Sequence, residues 1–247
     1  MNNTIIIWGA SSLIAKSLLP LIEKNYQNYL LIDHPSKKEE LQTMQRIIME
    51  KGKNSSFDTI NAEMPSEISE VSEKILIEFD RIDAMVYTIG TNLIIPALEV
   101  NTHDWERLFA INTEAFFFAA QAVFPKMLLN GGSIVSVASQ HGVVANYNRS
   151  IYCASKAALI HLTKELALEW AKYNIRVNSV SPTFIEMDTN KEFLSLPKIK
   201  RDYLDRIPLH KYATPSNVAN AIAFLLSDSS SMITGHNIMV DGGWSLS

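Results

Sequence analysis

Residues 5 to 19 read IIIWGASSLIAKSLL. A short apolar run without polar alternation is followed by Gly9 and two serines, and then by apolar residues at helical spacing. A buried strand that turns through glycine into a helix presents free backbone N–H groups at the helix start, where a phosphate can bind. This stretch therefore predicts the first strand, turn and helix of an α/β fold, with a phosphate site at the turn.

The alternation of short apolar runs and longer helical patterns continues along the chain. Such alternation is typical of parallel strands with helices packed on both faces of the sheet. We expect a Rossmann-like, doubly wound, seven-stranded parallel sheet in one domain over residues 1–247. The predicted strands are 4–8, 29–33, 55–60, 84–88, 133–138, 176–181 and 237–240, and the predicted helices lie near 12–24, 38–50, 66–79, 104–128, 151–173 and 216–227.

Composition excludes several classes of function. The chain has 22 basic and 26 acidic residues, a formal charge of −4 and one cysteine, so it lacks the basic surface that nucleic acids or anionic membranes require. Its longest apolar run, LFAINTEAFFFAAQAVFPKMLL, is interrupted by Asn112, Glu114 and Gln121. We predict no membrane span, no metal site and a location in the reducing cytoplasm.

The segment from 182 to 210 breaks the regular alternation, with three prolines and mixed apolar and charged residues. It follows a strand end, and ligands of open α/β sheets bind beyond the carboxyl ends of the strands. We interpret residues 183–212 as a substrate-binding loop or lid, and the alternative is a surface loop with a short helix.

Four polar residues are candidates for chemistry. Tyr152 and Lys156, in YCASK, stand four apart at the start of a helical pattern and share one helix face. Ser139 ends the apolar run GSIVSVAS, and Asn112 lies within an apolar helical stretch. Each alone has an ordinary explanation, as a surface pair, a cap or a satisfied core amide.

Together, and in this order, these four residues resemble the catalytic tetrad of the compact, single-domain short-chain dehydrogenase/reductase family. The resemblance runs over essentially the whole chain and includes the segments HDWERLFAINTEAFFFAAQAVFPKM, IRVNSVSPTFIEMDT, IPLHKYATPSNVANAIAFLLSD and ITGHNIMVDGG. It implies an NAD(P)-dependent oxidoreductase that interconverts an alcohol and a ketone or aldehyde. It also implies a homo-oligomer, a tetramer or else a dimer, paired through the long helices.

The resemblance also assigns roles to the tetrad. Tyr152 exchanges the hydroxyl proton, Ser139 bonds the substrate oxygen, Lys156 binds the nicotinamide ribose and Asn112 holds a water. For acid/base work near neutrality, the tyrosine pKa must fall by about 3 units from its ordinary value, and we expect Lys156 to supply much of that shift.

The glycine turn departs from the family pattern TGxxxGxG, because Trp8, Leu13 and Ala15 stand at three of its four positions. Leu13 replaces the glycine that lets the backbone approach the pyrophosphate, so we expect weakened cofactor binding. A fold-sharing binding or regulatory protein without turnover is therefore the alternative function. The expected cofactor contacts are Gly9, Ser11, Ser12, Leu13, Ile14, Asp33, Asn61, Gly90, Tyr152, Lys156, Pro182 and Ile185.

Asp33 ends the second strand, where a carboxylate can accept the adenine-ribose hydroxyls and repel a 2′-phosphate. We therefore expect NAD(H) to be preferred over NADP(H). His141, Tyr147 and Phe184 are candidates to contact a small-molecule substrate, and ordinary turn or packing roles are the alternative for each.

Overall fold

Residues 3–246, the part of the chain that the computed structural model describes, form one parallel sheet of seven strands. The seven-stranded doubly wound sheet predicted from the sequence is confirmed, and every strand begins and ends within one residue of its predicted bounds. The strands are β1 (Thr4–Trp8), β2 (Asn28–Asp33), β3 (Asn54–Thr59), β4 (Ala84–Tyr87), β5 (Gly132–Val137), β6 (Ile175–Pro182) and β7 (Asn237–Val240).

The helices follow the predicted pattern with two additions. The long predicted helix at 104–128 contains a π-helical turn, Ala110–Glu114, and the 183–212 segment contains two short helices. The α-helices of the described chain are α1 (Leu13–Ile22), α2 (Lys38–Glu50), α3 (Pro65–Glu78), α4 (Thr102–Phe109), α5 (Ala115–Met127), α6 (Ser150–Trp170), α7 (Lys191–Ser195), α8 (Pro197–Asp202) and α9 (Pro215–Leu226).

The strand order is β3-β2-β1-β4-β5-β6-β7. Chain order runs outward in one direction from β1 and in the other from β4, so the topology reverses between these two strands. Ligands of open α/β sheets bind at this reversal, beyond the carboxyl ends of the strands. The glycine turn after β1 and the segment after β4 meet at that edge.

Strand β1 is fully buried because helices cover both faces of the sheet. Ile5 and Ile7 point into a core shared with α1, α2 and α9, whereas Ile6 and Trp8 point into a second core shared with α3, α5 and α6. Each inward side chain of this size contributes about 1.5–3 kcal/mol by its burial. This two-sided burial explains why the strand reads as an unbroken apolar run.

The run Thr102–Met127 is long and apolar enough, by length and composition, to cross a membrane, with a mean hydropathy of 1.3 in its most apolar window. The sequence-based prediction of no membrane span rests on the polar residues that interrupt this run, Asn112, Glu114 and Gln121. Half of the window is buried inside the fold, where α5 packs on α3, and core helices pass the same test.

A close contact sets the distance between β5 and α6. After β5, a short turn, Gln140–Gly142, lies against α6. A side chain at Gly142 would place its Cβ 2.8 Å from the Lys156 carbonyl oxygen and 2.7 Å from Ile160 Cδ1. Glycine therefore allows the end of β5 to approach the first turns of α6, where the candidate catalytic residues lie.

Candidate active site

The turn after β1 is held by its backbone and by Ser12. Gly9 has a φ of +79°, and a Cβ there would collide with Thr88 Oγ1 and lie 2.9 Å from the Ile89 nitrogen. Ser12 is the N-cap of α1 and accepts a hydrogen bond from the Ala15 N–H at 3.1 Å. Ser12 thereby satisfies the Ala15 N–H, and its carbonyl accepts from the Lys16 N–H. The N–H groups of Leu13 and Ile14, the first two residues of α1, are left available to an anion.

Thr88 connects this turn to β4. Its hydroxyl donates to the Gly9 carbonyl at 2.8 Å and shares a 2.9 Å hydrogen bond with the Ser12 hydroxyl. In the sequence, Thr88 looked like a departure from the small or amide residues usual there. In the structure the Thr88 hydroxyl is bonded to this turn and leaves no room for a side chain at position 9.

Asp33 closes the turn from the side of β2. One carboxylate oxygen accepts from the Ser11 N–H at 2.8 Å, and the other accepts from the His34 N–H at 2.7 Å. These two bonds hold the Asp33 carboxylate beside the start of α1, at the end of β2, as expected from the sequence.

The candidate catalytic residues lie together at a cavity of about 360 Å³. Ser139 follows β5, and Tyr152 and Lys156 come from successive turns at the start of α6. Ser139 lies close enough to the Tyr152 hydroxyl to lower its pKa. One proton-exchanging oxygen and one further hydroxyl thus face the same space.

Burial raises the pKa of Tyr152 above its ordinary value, and the hydrogen bond with Ser139 and the charge of Arg149 oppose this shift only in part. The expectation that Lys156 lowers this pKa is not what the structure shows. The Lys156 ammonium donates to the Val137 carbonyl at 3.1 Å, so its hydrogen bond is directed to the backbone of β5.

Lys156 is itself strongly affected by its surroundings. It is 4% exposed, and burial lowers the pKa of its ammonium to about 8. Gly90 makes room for it, since a Cβ at that position would lie 3.0 Å from Lys156 Nζ and 3.3 Å from Asn112 Oδ1. The lysine is thus held as a desolvated cation at the floor of the cavity.

Asn112 lies in the π-helical turn and is fully buried. Its amide nitrogen donates to the Thr91 carbonyl and to the Ser155 hydroxyl, both at 3.0 Å, and its oxygen accepts from the Thr91 N–H at 2.8 Å. Both amide hydrogens are used, so a water held by this side chain would have to donate to Oδ1. The observed bonds tie the segment after β4 to α6.

The structure brings most of the expected site residues together. Seven of them line the cavity: Ile14, Gly90, Ser139, Tyr152, Lys156, Pro182 and Ile185. Leu13 is 43% exposed and lies outside this lining, and Asn61 lies at the turn before α3, where its side chain accepts from the Glu63 N–H.

A second cavity of about 100 Å³ adjoins the first and shares Ser139 and Tyr152 with it. His141 and Phe184 line it, as expected for substrate contacts, whereas Tyr147 is 86% exposed and lines neither cavity. Sequence reasoning missed ten residues that line the two cavities: Thr88, Thr91, Asn92, Val137, Ala138, Gln140, Arg149, Thr183, Met187 and Asn190. The one signal for Arg149 was a charged residue directly before the YCASK helix.

We predict that Lys156 destabilises the fold at neutral pH. Its pKa is about 8 in the folded chain against an ordinary value of 10.5, so the unfolded chain binds more protons between these values. The free energy of unfolding should therefore rise with pH across this window, by about 3 kcal/mol in total. Urea unfolding of the wild type and Lys156→Met at pH 7.5, 9 and 10.5 measures the rise as the difference between the two proteins.

The control is Lys164→Met, which removes an exposed lysine from the same helix. It should keep the wild-type pH dependence. A constant difference between wild type and Lys156→Met over the three pH values would contradict the prediction.

Comparison with known proteins shows the same architecture and related sequences. A family model described as enoyl-(acyl carrier protein) reductase matches residues 23–245. An NAD-dependent glycerol dehydrogenase of Listeria innocua is 32% identical over 246 residues, 98% of this chain and 93% of that protein. L-xylulose reductase of Homo sapiens is 39% identical over 177 residues, 71% of this chain and 72% of that protein. The crystal structure of acetoin dehydrogenase from Enterobacter cloacae matches with a TM-score of 0.88 and 26% identity, covering 100% of this chain and 97% of the other.

Proposed function

The chain belongs to the short-chain dehydrogenase/reductase family and is an NAD(P)-dependent oxidoreductase of alcohol and carbonyl groups; on this premise, we propose that Tyr152 is its acid/base and that NAD(H) is its preferred cofactor. The observation that carries the proposal is that Ser139, Tyr152 and Lys156 line one cavity, with Ser139 beside the Tyr152 hydroxyl. The substrate is a small molecule, as the names of the glycerol and xylulose relatives suggest.

The cofactor site is supported by groups on this chain. Gly9 leaves room that a side chain would fill, and Ser12 caps α1 so that the N–H groups of Leu13 and Ile14 face outward. Ile14 and Lys156 lie on opposite sides of the same cavity. When bound, the nicotinamide accepts or delivers the hydride. We propose that Leu13, at the first position of α1, weakens the binding without preventing it.

The side chains at the cavity divide the remaining work. Tyr152 takes the hydroxyl proton of an alcohol, or returns it to a carbonyl oxygen, while Ser139 holds that oxygen in place. We propose that Lys156, whose side chain lines the same cavity, binds the nicotinamide ribose. Asn112 is a positioning residue, because its bonds join Thr91, which lines the cavity, to Ser155 of α6.

We predict that Asp33→Asn narrows the preference for NADH over NADPH. The substitution keeps the size of the side chain but leaves one acceptor oxygen, so the hydrogen bond to either the Ser11 or the His34 N–H is lost. It also removes the charge that repels a 2′-phosphate. A like-charge contact at a partly exposed site contributes about 1–3 kcal/mol, so the ratio of the two dissociation constants should fall by about 5- to 100-fold. Fluorescence titration with both reduced cofactors measures the ratio.

Asp80→Asn is the matched control, since it makes the same change in net charge at an exposed position before β4. It should leave the ratio as in the wild type. Wild-type binding of NADPH that equals or exceeds binding of NADH would refute the proposed preference.

Turnover separates this function from the alternative, a binding or regulatory protein on the same fold. The assay follows NADH formation or consumption with small polyols, hydroxy acids and their carbonyl counterparts. Cofactor binding without turnover of any of them would support the alternative.

We also propose a cytoplasmic homotetramer, or else a dimer, paired through the α4–α5 and α6 faces. Sedimentation of the purified protein tests the assembly.

A further inference from the structure

The smaller cavity, lined by Asn92, Ser139, Gln140, His141, Arg149, Tyr152, Pro182, Thr183 and Phe184, begins at the reaction centre and leads away from Lys156. Its volume of about 100 Å³ equals the liquid share of about three water molecules. This is room for the few atoms of a substrate beyond its reacting carbon.

This cavity collects polar atoms that have no partner. In residues 3–246, seven buried side-chain nitrogen or oxygen atoms lack a hydrogen bond, and five of them belong to residues lining this one cavity. They are both amide atoms of Gln140, Nδ1 of His141, Nε of Arg149 and Oγ1 of Thr183. These residues are at most 7% exposed. Because each unpaired buried group is unfavourable, the clustering indicates a polar ligand.

Arg149 gives the cavity its charge. Its Nη2 donates to the Tyr203 hydroxyl at 3.1 Å and its Nη1 to the Tyr147 carbonyl at 3.3 Å, and its guanidinium lies 5.9 Å from the ring centre of Phe184. All of these partners are neutral. Within the described residues it forms no ion pair with a carboxylate, and a buried cation without an anion is unfavourable.

The charges around His141 also favour a negatively charged ligand. Burial, together with the charges of Arg149 and Arg206, lowers its pKa to about 4. Arg206 lies 4.2 Å from the ring centre of Trp244, which itself contacts His141. The wall of the cavity is therefore positive, and His141 is neutral at pH 7, where it can exchange a hydrogen bond without adding charge.

We propose that the end of the substrate that enters this cavity carries a carboxylate, so that the enzyme acts on small hydroxy acids of about three or four carbons, or on the corresponding keto acids. The inference rests on the proposed function and names its substrate class. The Arg149 Nε–H donates to the carboxylate, Gln140 and Thr183 bond its second oxygen or a neighbouring hydroxyl, and the reacting oxygen stays between Ser139 and Tyr152. The carboxylate itself is unchanged in the reaction.

Matched pairs of acids and polyols test the substrate class. The probes are glycerate against glycerol, erythronate against erythritol and threonate against threitol, in both enantiomers where they exist. The readout is the ratio of kcat/KM for acid over polyol. In the wild type we expect the better acid to exceed its polyol by at least tenfold, and in Arg149→Met we expect that ratio to fall by about 10- to 100-fold. Equal or better turnover of the polyols by the wild type, with the same ratio in the variant, would overturn the proposal.

A binding measurement keeps the proposal separate from the proposed function. The thermal midpoint of each protein is measured with each probe at equal concentration. Acids that raise the midpoint of the wild type but not of Arg149→Met, without turnover, would support the anion site and refute the oxidoreductase role for these compounds. If no acid is turned over and no acid shifts the thermal midpoint of the wild type, the proposed anion site is wrong.

Tyr203→Phe is the control for the structural role of Arg149. It removes the oxygen that Nη2 reaches and keeps both the charge and the ring stacked on Phe184 at 3.9 Å. We expect the ratio to change less than about threefold, which corresponds to the loss of one neutral contact. A loss as large as in Arg149→Met would assign the effect to anchoring of the 183–212 segment, and the proposed charge recognition would be wrong.

Discussion

Tyr152→Phe is expected to lower kcat by about 10²- to 10⁴-fold, the usual effect of removing a positioned acid/base. The substitution deletes one oxygen and keeps the ring, which contacts His141 with ring centres 6.4 Å apart. NADH affinity and the thermal midpoint should stay near the wild-type values. Steady-state kinetics with any turned-over substrate, NADH titration and thermal unfolding together check the three expectations.

Tyr173→Phe removes the same atom at the far end of the same helix, where the ring packs against Phe124. It should keep the wild-type rate. A Tyr152→Phe enzyme that retains more than a tenth of that rate would exclude Tyr152 as the acid/base.

Gly9→Ala is expected to destabilise the protein by about 3 kcal/mol and to weaken NADH binding by at least tenfold. Two effects add: a non-glycine residue at positive φ costs about 1–2 kcal/mol, and the new Cβ meets Thr88 and Ile89. Relief of that contact must move β1 from β4 or break the bonds of Thr88, and either change displaces the start of α1. Urea unfolding and fluorescence titration measure the two losses.

Gly52→Ala isolates the first effect, the cost of a non-glycine residue at positive φ. Gly52 also has a positive φ, +74°, but a Cβ there meets nothing within 4 Å. It should therefore show only the backbone effect, about 1–2 kcal/mol, with unchanged NADH binding. Equal destabilisation by the two substitutions would show that the Gly9 turn relaxes around a methyl group.

The fold was predictable because its signals are local. An unbroken apolar run such as residues 5–8, followed by glycine and a helical pattern, favours a strand covered on both faces. Tyr152 and Lys156 lie in a strong helical pattern, which places them on one helix face. The chemistry around the tetrad was predictable in kind, because residue type and order are visible in the chain. Neither inference needs the positions of distant residues.

What sequence reasoning missed depends on distant contacts. The pKa of Tyr152 is raised because burial exceeds the effects of Ser139 and Arg149, and burial of a single side chain is set by the whole packing. The sequence did not single out Gln140 or Thr183, and only the fold shows that their unpaired atoms belong to residues lining one cavity. The role of Thr88 likewise depends on a contact distant in sequence, its hydrogen bond to the Gly9 carbonyl.

The π-helical turn at Ala110–Glu114 also changes the rotational phase of the long helix that contains it. A π turn holds one more residue than an α turn, and each residue of an α-helix advances by about 100°. The apolar stripe of α4 is therefore offset from that of α5 by about that angle. Because of the offset, α4 can face α6 while α5 faces α3. One extra residue thus allows one continuous helix to pack against α6 through α4 and against α3 through α5. The π-helical turn that contains the extra residue also contains Asn112.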